Sequence, residues 1–189
     1  MVETGNWVTP QFDYGVPFWG KPPLHTWLSA AGIRLFGATQ FGARIFIFLT
    51  SIALTWFLYR WVSRIKGRDY ALAGVAILVS SGLYYLAMAT VMTDLVMLCG
   101  TAMSMMAFWC AVCSPSPRTR DSYLFFVGLA IGLLAKGPVA VVLTAVPVAM
   151  WVLWKNRWAD TWRGLPWISG SLLTLALALP WYSLAELRT

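Results

Sequence analysis

The sequence predicts an all-α protein that crosses a membrane several times, and composition is the first reason. The chain has 189 residues, of which 59% are hydrophobic and 11% are charged. Its mean hydropathy of +0.68 is well above that of water-soluble domains. The second reason is that the apolar residues form long runs, and a bilayer core takes about 20 residues of helix per crossing. A large water-soluble domain is therefore excluded, and three cysteines in one apolar run exclude a disulfide scaffold.

Six apolar runs predict about six transmembrane helices. The second and third runs are nearly continuous and are separated by a polar stretch from Thr90 to Asp94. The fourth run is short: from Tyr123 to Ala135 a helix rises only about 20 Å, so we expect it to end below the outer surface. The runs lie at 43–59, 71–93, 95–113, 122–135, 138–154 and 165–182.

The positions of the basic residues predict the orientation of the helices. Nine of the 14 lysines and arginines lie in three short stretches between apolar runs, and such loops stay on the cytoplasmic side. The net charge of +7 is thus explained by membrane topology, and no nucleic-acid partner is predicted. Alternation then places residues 1–42, the stretch before Asp94 and the segment around Lys136 on the outer side. The nine residues are Arg60, Arg64, Lys66, Arg68, Arg118, Arg120, Lys155, Arg157 and Arg163.

Residues 1–42 differ from the rest because they combine prolines with aromatic residues, which is typical of an ordered interfacial loop. From Pro23 onward the pattern becomes helical, and Gly37 can end the helix. We expect an amphipathic juxtamembrane helix on the outer surface. The predicted regions are therefore this loop with its helix at 1–42, a transmembrane bundle at 43–182, and the start of a further outer segment at 183–189. The loop aromatics are Trp7, Phe12, Tyr14, Phe18 and Trp19.

Two ionisable residues near membrane depth are candidate functional residues, because a charge there is costly. Asp94 can bind a polar acceptor or act as a base, and it can equally mark a helix start at which Thr93 or Asp94 is the N-cap. Lys136 precedes Gly137 and Pro138, which predicts a chain break lining a cavity. The alternative for Lys136 is a lysine whose ammonium reaches the interface along its stem.

Two residues at the start of the predicted juxtamembrane helix are further candidates. Lys21 lies between Gly20 and two prolines, so its ammonium is held rigidly and suits a phosphate group, or else it anchors the loop to anionic lipid. His25 can take part in proton transfer, but a single histidine makes a poor metal site and suits interface packing. Cys110 and Cys113 are interpreted as helix-packing residues, not as a redox pair.

Several motifs occur in a fixed order along the chain. The first four are Glu-Thr-Gly-Asn-Trp-Val-Thr-Pro (3–10), Gly-x-Pro-Phe-x-x-Lys-Pro-Pro-Leu-x-x-Trp-Leu (15–28), Leu-Phe-Gly (35–37) and Ala-Arg (43–44). This stretch strongly resembles the first outer loop of bacterial polyprenyl-phosphate-dependent glycosyltransferases, the group that contains lipid A aminoarabinose transferase and the protein O-mannosyltransferases. Three later motifs follow in the family's order: Met-Thr-Asp (92–94), Leu-Ala-Lys-Gly-Pro-Val (134–139) and Leu-Pro-Trp-Tyr (179–182).

The resemblance implies a partial GT-C fold and a membrane enzyme that moves a sugar from a polyprenyl-phosphate carrier to a lipid or protein acceptor. The reaction would take place on the periplasmic side of the bacterial inner membrane. Lys21 would contact the donor phosphate, whereas Asp94 would line the acceptor side of the cavity and Lys136 the polar break behind it. His25 is included among the cavity candidates.

The chain also departs from the family pattern. The family's catalytic acid belongs upstream of Met1, and neither Glu3 nor Asp13 matches it. The family continues beyond Tyr182, so we expect a portion that is incomplete at both ends. Gly20 stands where the aminoarabinose transferases carry a glutamate implicated in metal binding, so a divalent metal loses a ligand and no metal site or cofactor is assigned. The competing functions are a transporter or lipid-handling protein, and an inactive fragment.

Overall fold

The computed structural model describes residues 1–13, 15–18, 20–114 and 117–187. These residues are mostly helical, with nine helices and one two-stranded antiparallel sheet among them. The predicted all-α class is confirmed. The chain divides into two compact units, Met1–Cys99 and Gly100–Thr189, and each is described by itself. Tyr14 and Trp19 of the predicted aromatic loop, and the last two residues of the predicted segment 183–189, lie outside the described residues.

The first unit begins with a loop that contains the small sheet, and five helices follow it, the last of which crosses into the second unit. The elements are β1 (Gln11–Asp13), β2 (Val16–Pro17), α1 (Leu24–Phe36), α2 (Gln40–Lys66), α3 (Arg68–Ser80), α4 (Gly82–Ala89) and α5 (Thr93–Val112).

The second unit contains the end of α5 and four further helices. These are α6 (Thr119–Lys136), α7 (Pro138–Lys155), α8 (Trp158–Gly164) and α9 (Trp167–Glu186).

The juxtamembrane helix predicted from Pro23 is confirmed as α1. Pro23 is its N-cap, and Gly37 ends it with a φ of 83°, a left-handed conformation that favours glycine. The helix then turns back onto α2 through a close contact of glycines, because a Cβ at Gly32 would overlap the carbonyl oxygen of Gly42. Thr39 caps α2 by accepting a hydrogen bond from the Gly42 amide at 3.0 Å. The position of α1 along the membrane surface stays a prediction.

The second apolar run is not one straight helix. It is divided at Ser81 into α3 and α4, whose axes differ by 68°. Ser81 is extended, with a ψ of 121°, so the helical hydrogen bonding stops there. The buried Tyr84 holds α4 against α2, because its hydroxyl donates to the Ser51 carbonyl at 2.8 Å and lies 2.9 Å from the Thr55 hydroxyl. Two polar contacts in an apolar setting favour this packing over a continuous helix.

Fewer helices than the predicted six qualify as membrane spans by their length and composition. Among the described residues, α2, α5, α7 and α9 are long and apolar enough to cross a membrane, and the bent α3–α4 pair makes a fifth if it is one span. The fourth run forms α6 but falls short, because three of its 18 residues are charged. These are Arg120, Asp121 and Lys136. By length and composition alone four or five spans qualify, and the crossing of α6 as a further span, which the predicted orientation requires, stays a prediction.

The core of the second unit combines aromatic side chains with small residues. Phe108, Phe125 and Phe126 form a buried cluster with aliphatic neighbours. Two buried hydroxyls in this unit bond to backbone carbonyls: Ser104 donates to Phe125 at 2.9 Å, and Thr174 donates to Phe126 at 2.9 Å. Such hydroxyl contacts and small residues are how helices associate where lipid removes the hydrophobic driving force.

Candidate functional site

The candidate site of the first unit is a groove of about 510 Å³ between the amino-terminal loop and α1. The loop contributes Glu3 and Asp13, and α1 contributes Thr26 and Ser29. Val91, from the polar stretch before α5, also lines the groove. Two carboxylates from the loop and two hydroxyls from α1 line the same groove, and this arrangement suits a ligand with several hydrogen-bonding groups.

Local hydrogen bonds hold the loop over α1. The Asn6 side-chain oxygen accepts bonds from the amides of Val8 and Thr9, both at 3.1 Å, which makes a tight turn. The indole of Trp27 on α1 then donates to the Trp7 carbonyl at 2.7 Å. The two loop motifs that were recognised separately in the sequence, 3–10 and 15–28, are thus in direct contact.

Glu3 and Asp13 are the groove residues that sequence reasoning did not select. Both carboxylates are exposed, and both line the groove although they are ten positions apart in the sequence. Their proximity to α1 depends on the path of an irregular loop, which no periodicity encodes. One sequence feature could have identified them as site residues: they are the two acidic residues among residues 1–42.

Lys21 and His25 lie close to each other at the start of α1. Lys21 is exposed, whereas His25 is half-buried and its Nδ1 atom has no hydrogen-bond partner in the described part of the chain. Burial lowers the pKa of His25 below 6.5, and the Lys21 charge lowers it further; the Pro22 backbone acts in the opposite direction and is the smallest of the three causes. A neutral imidazole at pH 7 leaves the Lys21 ammonium as the cation of this pair.

Asp94 lies at a helix start, as one of its two interpretations required. The helix α5 begins at Thr93, and Asp94 is in its first turn, where a negative charge is favoured. The Thr93 hydroxyl is buried and has no hydrogen-bond partner in the described ranges, so it does not act as the cap. Val91, three residues earlier in the chain, lines the groove, so Asp94 follows a groove residue closely in sequence. The placement is compatible with a functional role, and the role stays a prediction.

The predicted chain break after Lys136 is confirmed in the second unit. Gly137 has a φ of 77° and separates α6 from α7, and Pro138 opens α7 at a position that needs no amide hydrogen. The Leu133 carbonyl at the end of α6 accepts two hydrogen bonds, from the Gly137 amide at 2.9 Å and from the Tyr182 hydroxyl at 3.0 Å. The motifs 134–139 and 179–182 therefore both bond to the same carbonyl, and half-buried Lys136 lies next to Gly137 at this junction.

The structure thus places three of the four candidate residues in the first unit and the fourth in the second. Lys21, His25 and Asp94 belong to the first unit, and Lys136 belongs to the second. Within the described ranges no group of three or more His, Cys, Asp or Glu side chains could hold a metal ion. No disulfide joins the three cysteines.

Comparison with known proteins identifies the family. A family model described as dolichyl-phosphate-mannose-protein mannosyltransferase matches residues 1–189. The chain belongs to this family. Among curated members of related sequence is the undecaprenyl phosphate-alpha-4-amino-4-deoxy-L-arabinose arabinosyl transferase of Shewanella sediminis, 29% identical over 184 residues, with 96% of this chain and 33% of that protein covered. A Pseudomonas fluorescens relative of the same name is 30% identical over 185 residues and is covered over 32% of its length.

The fold of this mannosyltransferase-family chain also matches a solved structure. The crystal structure of ArnT from Cupriavidus metallidurans bound to undecaprenyl phosphate aligns over 100% of this chain and 35% of that one, with a TM-score of 0.92 and 21% identity. At this identity the likeness shows the fold, and the expected partial GT-C fold is confirmed. The chain spans about a third of the length of the curated relatives it matches.

Proposed function

We propose that this chain is part of a glycosyltransferase that moves a sugar from a polyprenyl-phosphate carrier to a lipid or protein acceptor. The observation that carries the proposal is the direct contact of the two loop motifs through Trp27 and Trp7 over a groove with two carboxylates. Family membership over the whole chain supports the reaction class. The relatives named undecaprenyl phosphate-alpha-4-amino-4-deoxy-L-arabinose arabinosyl transferase favour a pentose as the sugar. A lipid A-like molecule is the acceptor that the sequence resemblance implies.

Lys21 is the proposed contact for the donor phosphate. Its ammonium is exposed, and Pro22 and Pro23 restrict the backbone that presents it. An ammonium donates up to three charge-assisted hydrogen bonds to phosphate oxygens. Because His25 is kept neutral by burial and by Lys21 itself, anion binding at this point falls to the lysine.

Asp94 and the groove are the proposed acceptor side. In the reaction, the acceptor hydroxyl oxygen bonds to the anomeric carbon while the bond from that carbon to the phosphate oxygen breaks. The carrier leaves as polyprenyl phosphate, and the hydroxyl proton passes to a carboxylate. Thr26 and Ser29 of the groove can hold acceptor hydroxyls by hydrogen bonds. Asp94 binds the acceptor next to them, and Lys136 lines the polar break.

The proposed location is the bacterial inner membrane, with the loop and the site on the periplasmic side. Three basic stretches, which include Arg64, Arg118 and Arg157, then stay in the cytoplasm. The lipid carrier and the surrounding membrane lipids are the expected partners.

The test is sugar transfer by the complete protein in membranes, with a radiolabelled polyprenyl-linked sugar. We expect Lys21→Ala and Asp94→Ala each to lower transfer by about tenfold or more, since each removes one charged contact worth about 1.5–3 kcal/mol. Lys66→Ala, in a basic stretch away from the groove, is the matched control and should transfer normally. Wild-type rates in both site variants would refute the assignment, and carrier binding without transfer in the wild type would favour a lipid-handling protein instead.

A further inference from the structure

A second groove, in the Gly100–Thr189 unit, is not used by the proposed reaction. It has a volume of about 560 Å³ and is lined almost entirely by apolar side chains from α6, α7, α8 and α9. Ala145 and Ala149, one turn apart on α7, line it with short side chains that leave the space open. Both α7 and α9 are long and apolar enough to cross a membrane, so we expect this groove to lie within the bilayer-spanning part of the chain.

Two buried polar groups at this groove have no hydrogen-bond partner in the described part of the chain. Thr161 is only 7% exposed, and neither its hydroxyl nor the indole nitrogen of Trp167 is bonded. Both residues line the groove. A buried donor left unpaired costs about 1–3 kcal/mol, so a ligand that supplies acceptor oxygens here would be stabilised. The groove therefore favours a molecule that is mostly apolar but carries acceptors at one end.

The same end of the groove is lined by exposed tryptophans, and arginines lie near them along α8. Trp158 and Trp162 are 56% and 72% exposed, and Trp162 stacks on Trp167 with ring centroids 5.7 Å apart. Exposed tryptophans of this kind are typical of the membrane interface. Arg163 lines a shallow depression with these tryptophans, while Arg157 is paired with Asp160 at 2.6 Å. Arg163 is thus outside that ion pair, in a depression that shares Trp158 and Trp162 with the groove.

We propose that this groove binds one anionic phospholipid of the surrounding membrane. An acyl chain lies along Ala145 and Ala149, and the phosphate and ester oxygens accept hydrogen bonds from Thr161 and Trp167. Arg163 supplies the charge that selects an anionic head group over a zwitterionic one. The lipid would fix α8 at the membrane interface, and the inference is independent of the proposed sugar transfer.

The experiment measures phospholipids retained by the purified complete protein, using native mass spectrometry after exchange with phosphatidylglycerol or phosphatidylcholine. We expect phosphatidylglycerol to be retained preferentially. Arg163→Gln should lower that preference by about fivefold, which is the effect of one cation near an anionic head group. Thr161→Val, which keeps the side-chain shape but removes the donor, should also weaken retention.

A filled groove provides the decisive comparison. Ala149→Phe should abolish the retained phosphatidylglycerol, whereas Ala176→Phe, at an exposed position of α9 outside the groove lining, should leave it bound. Equal retention of the two lipids would overturn the anionic assignment. Equal phosphatidylglycerol retention by both phenylalanine variants would overturn the groove as its site. Either failure leaves sugar transfer, measured separately, unaffected.

Discussion

Tyr182 shows how one side chain can hold a polar junction within a mostly apolar bundle. Its hydroxyl donates to the Leu133 carbonyl, which also accepts the Gly137 amide. Carbonyl oxygens have two lone pairs, so both bonds coexist. This contact ties the chain break beside Lys136 to the end of α9, where Pro180 and Trp181 precede the tyrosine.

We therefore expect Tyr182→Phe to destabilise the protein by about 0.5–1.5 kcal/mol, the net value of one hydrogen bond. The cost stays modest because Leu133 keeps its bond to Gly137. Unfolding in mixed detergent micelles, followed by circular dichroism, measures it. Tyr123→Phe removes an exposed hydroxyl contact with Ser169 at 3.0 Å and should cost less. An equal loss in the two variants would contradict a specific role for Tyr182.

The second residue-scale prediction concerns the titration of His25, the one histidine of the chain. Its pKa is lowered by burial and by Lys21, so the folded protein resists a proton that the unfolded chain accepts near pH 6.5. The stability contribution is therefore complete above pH 6.5 and is lost as the pH falls through 6.5 toward the lower folded pKa. Acidification should weaken the packing of α1.

Lys21→Gln should raise the His25 pKa toward 6.5, because it removes the second of the two causes that lower it. The measurement is NMR titration of the imidazole, which one histidine makes unambiguous. Lys66→Gln is the matched control and should leave the titration unchanged. An unchanged pKa in Lys21→Gln would mean that the two side chains are not close, and would also weaken the proposed phosphate contact.

At the scale of helices, close approaches in the second unit depend on glycine. A Cβ at Gly128 would overlap Ser104 and the Gly100 carbonyl, so α5 and α6 approach each other only if this position lacks a side chain. The half-buried Gly74 of α3 has nothing within 4 Å of its ideal Cβ position. The two glycines therefore make a matched pair.

We expect Gly128→Ala to destabilise the protein by about 1–3 kcal/mol, as overpacking does. Gly74→Ala should be neutral or stabilising by up to about 1 kcal/mol, because alanine is the better helix former. Thermal unfolding of both variants in one detergent gives the comparison. If both substitutions are tolerated equally, the α5–α6 contact is looser than the structure indicates.

Helix ends were largely predictable, whereas contacts between distant segments were not. Pro23 and Gly37 bound α1 and Gly137 ends α6, each at the predicted position, because proline and glycine restrict or permit particular backbone angles. The bend at Ser81 depends on the hydroxyl of Tyr84 finding partners on α2, which a hydropathy pattern does not contain. The groove acids were missed for the same reason, since an irregular loop brings them to α1.

At the scale of the whole molecule, the orientation of the chain can be tested by cysteine labelling. In a background in which the three native cysteines are replaced by alanine, Thr4→Cys should react with an impermeant maleimide added to intact spheroplasts. Lys66→Cys and Asn156→Cys should react only after permeabilisation, because basic stretches stay cytoplasmic. The reverse pattern would invert the topology and remove the proposed site from the periplasmic side.

The sharp turn at Gly137 between α6 and α7 also affects how the chain inserts into the membrane. Three charged residues make α6 a poor substrate for insertion by itself, whereas α7 is long and apolar enough to cross. We therefore expect the translocon to accept the two helices as a preformed hairpin. In an in vitro translocation assay, residues 119–136 alone should fail to insert, and residues 119–155 should insert together. Insertion of α6 and of the chain break after Lys136 would then depend on α7, the helix that follows.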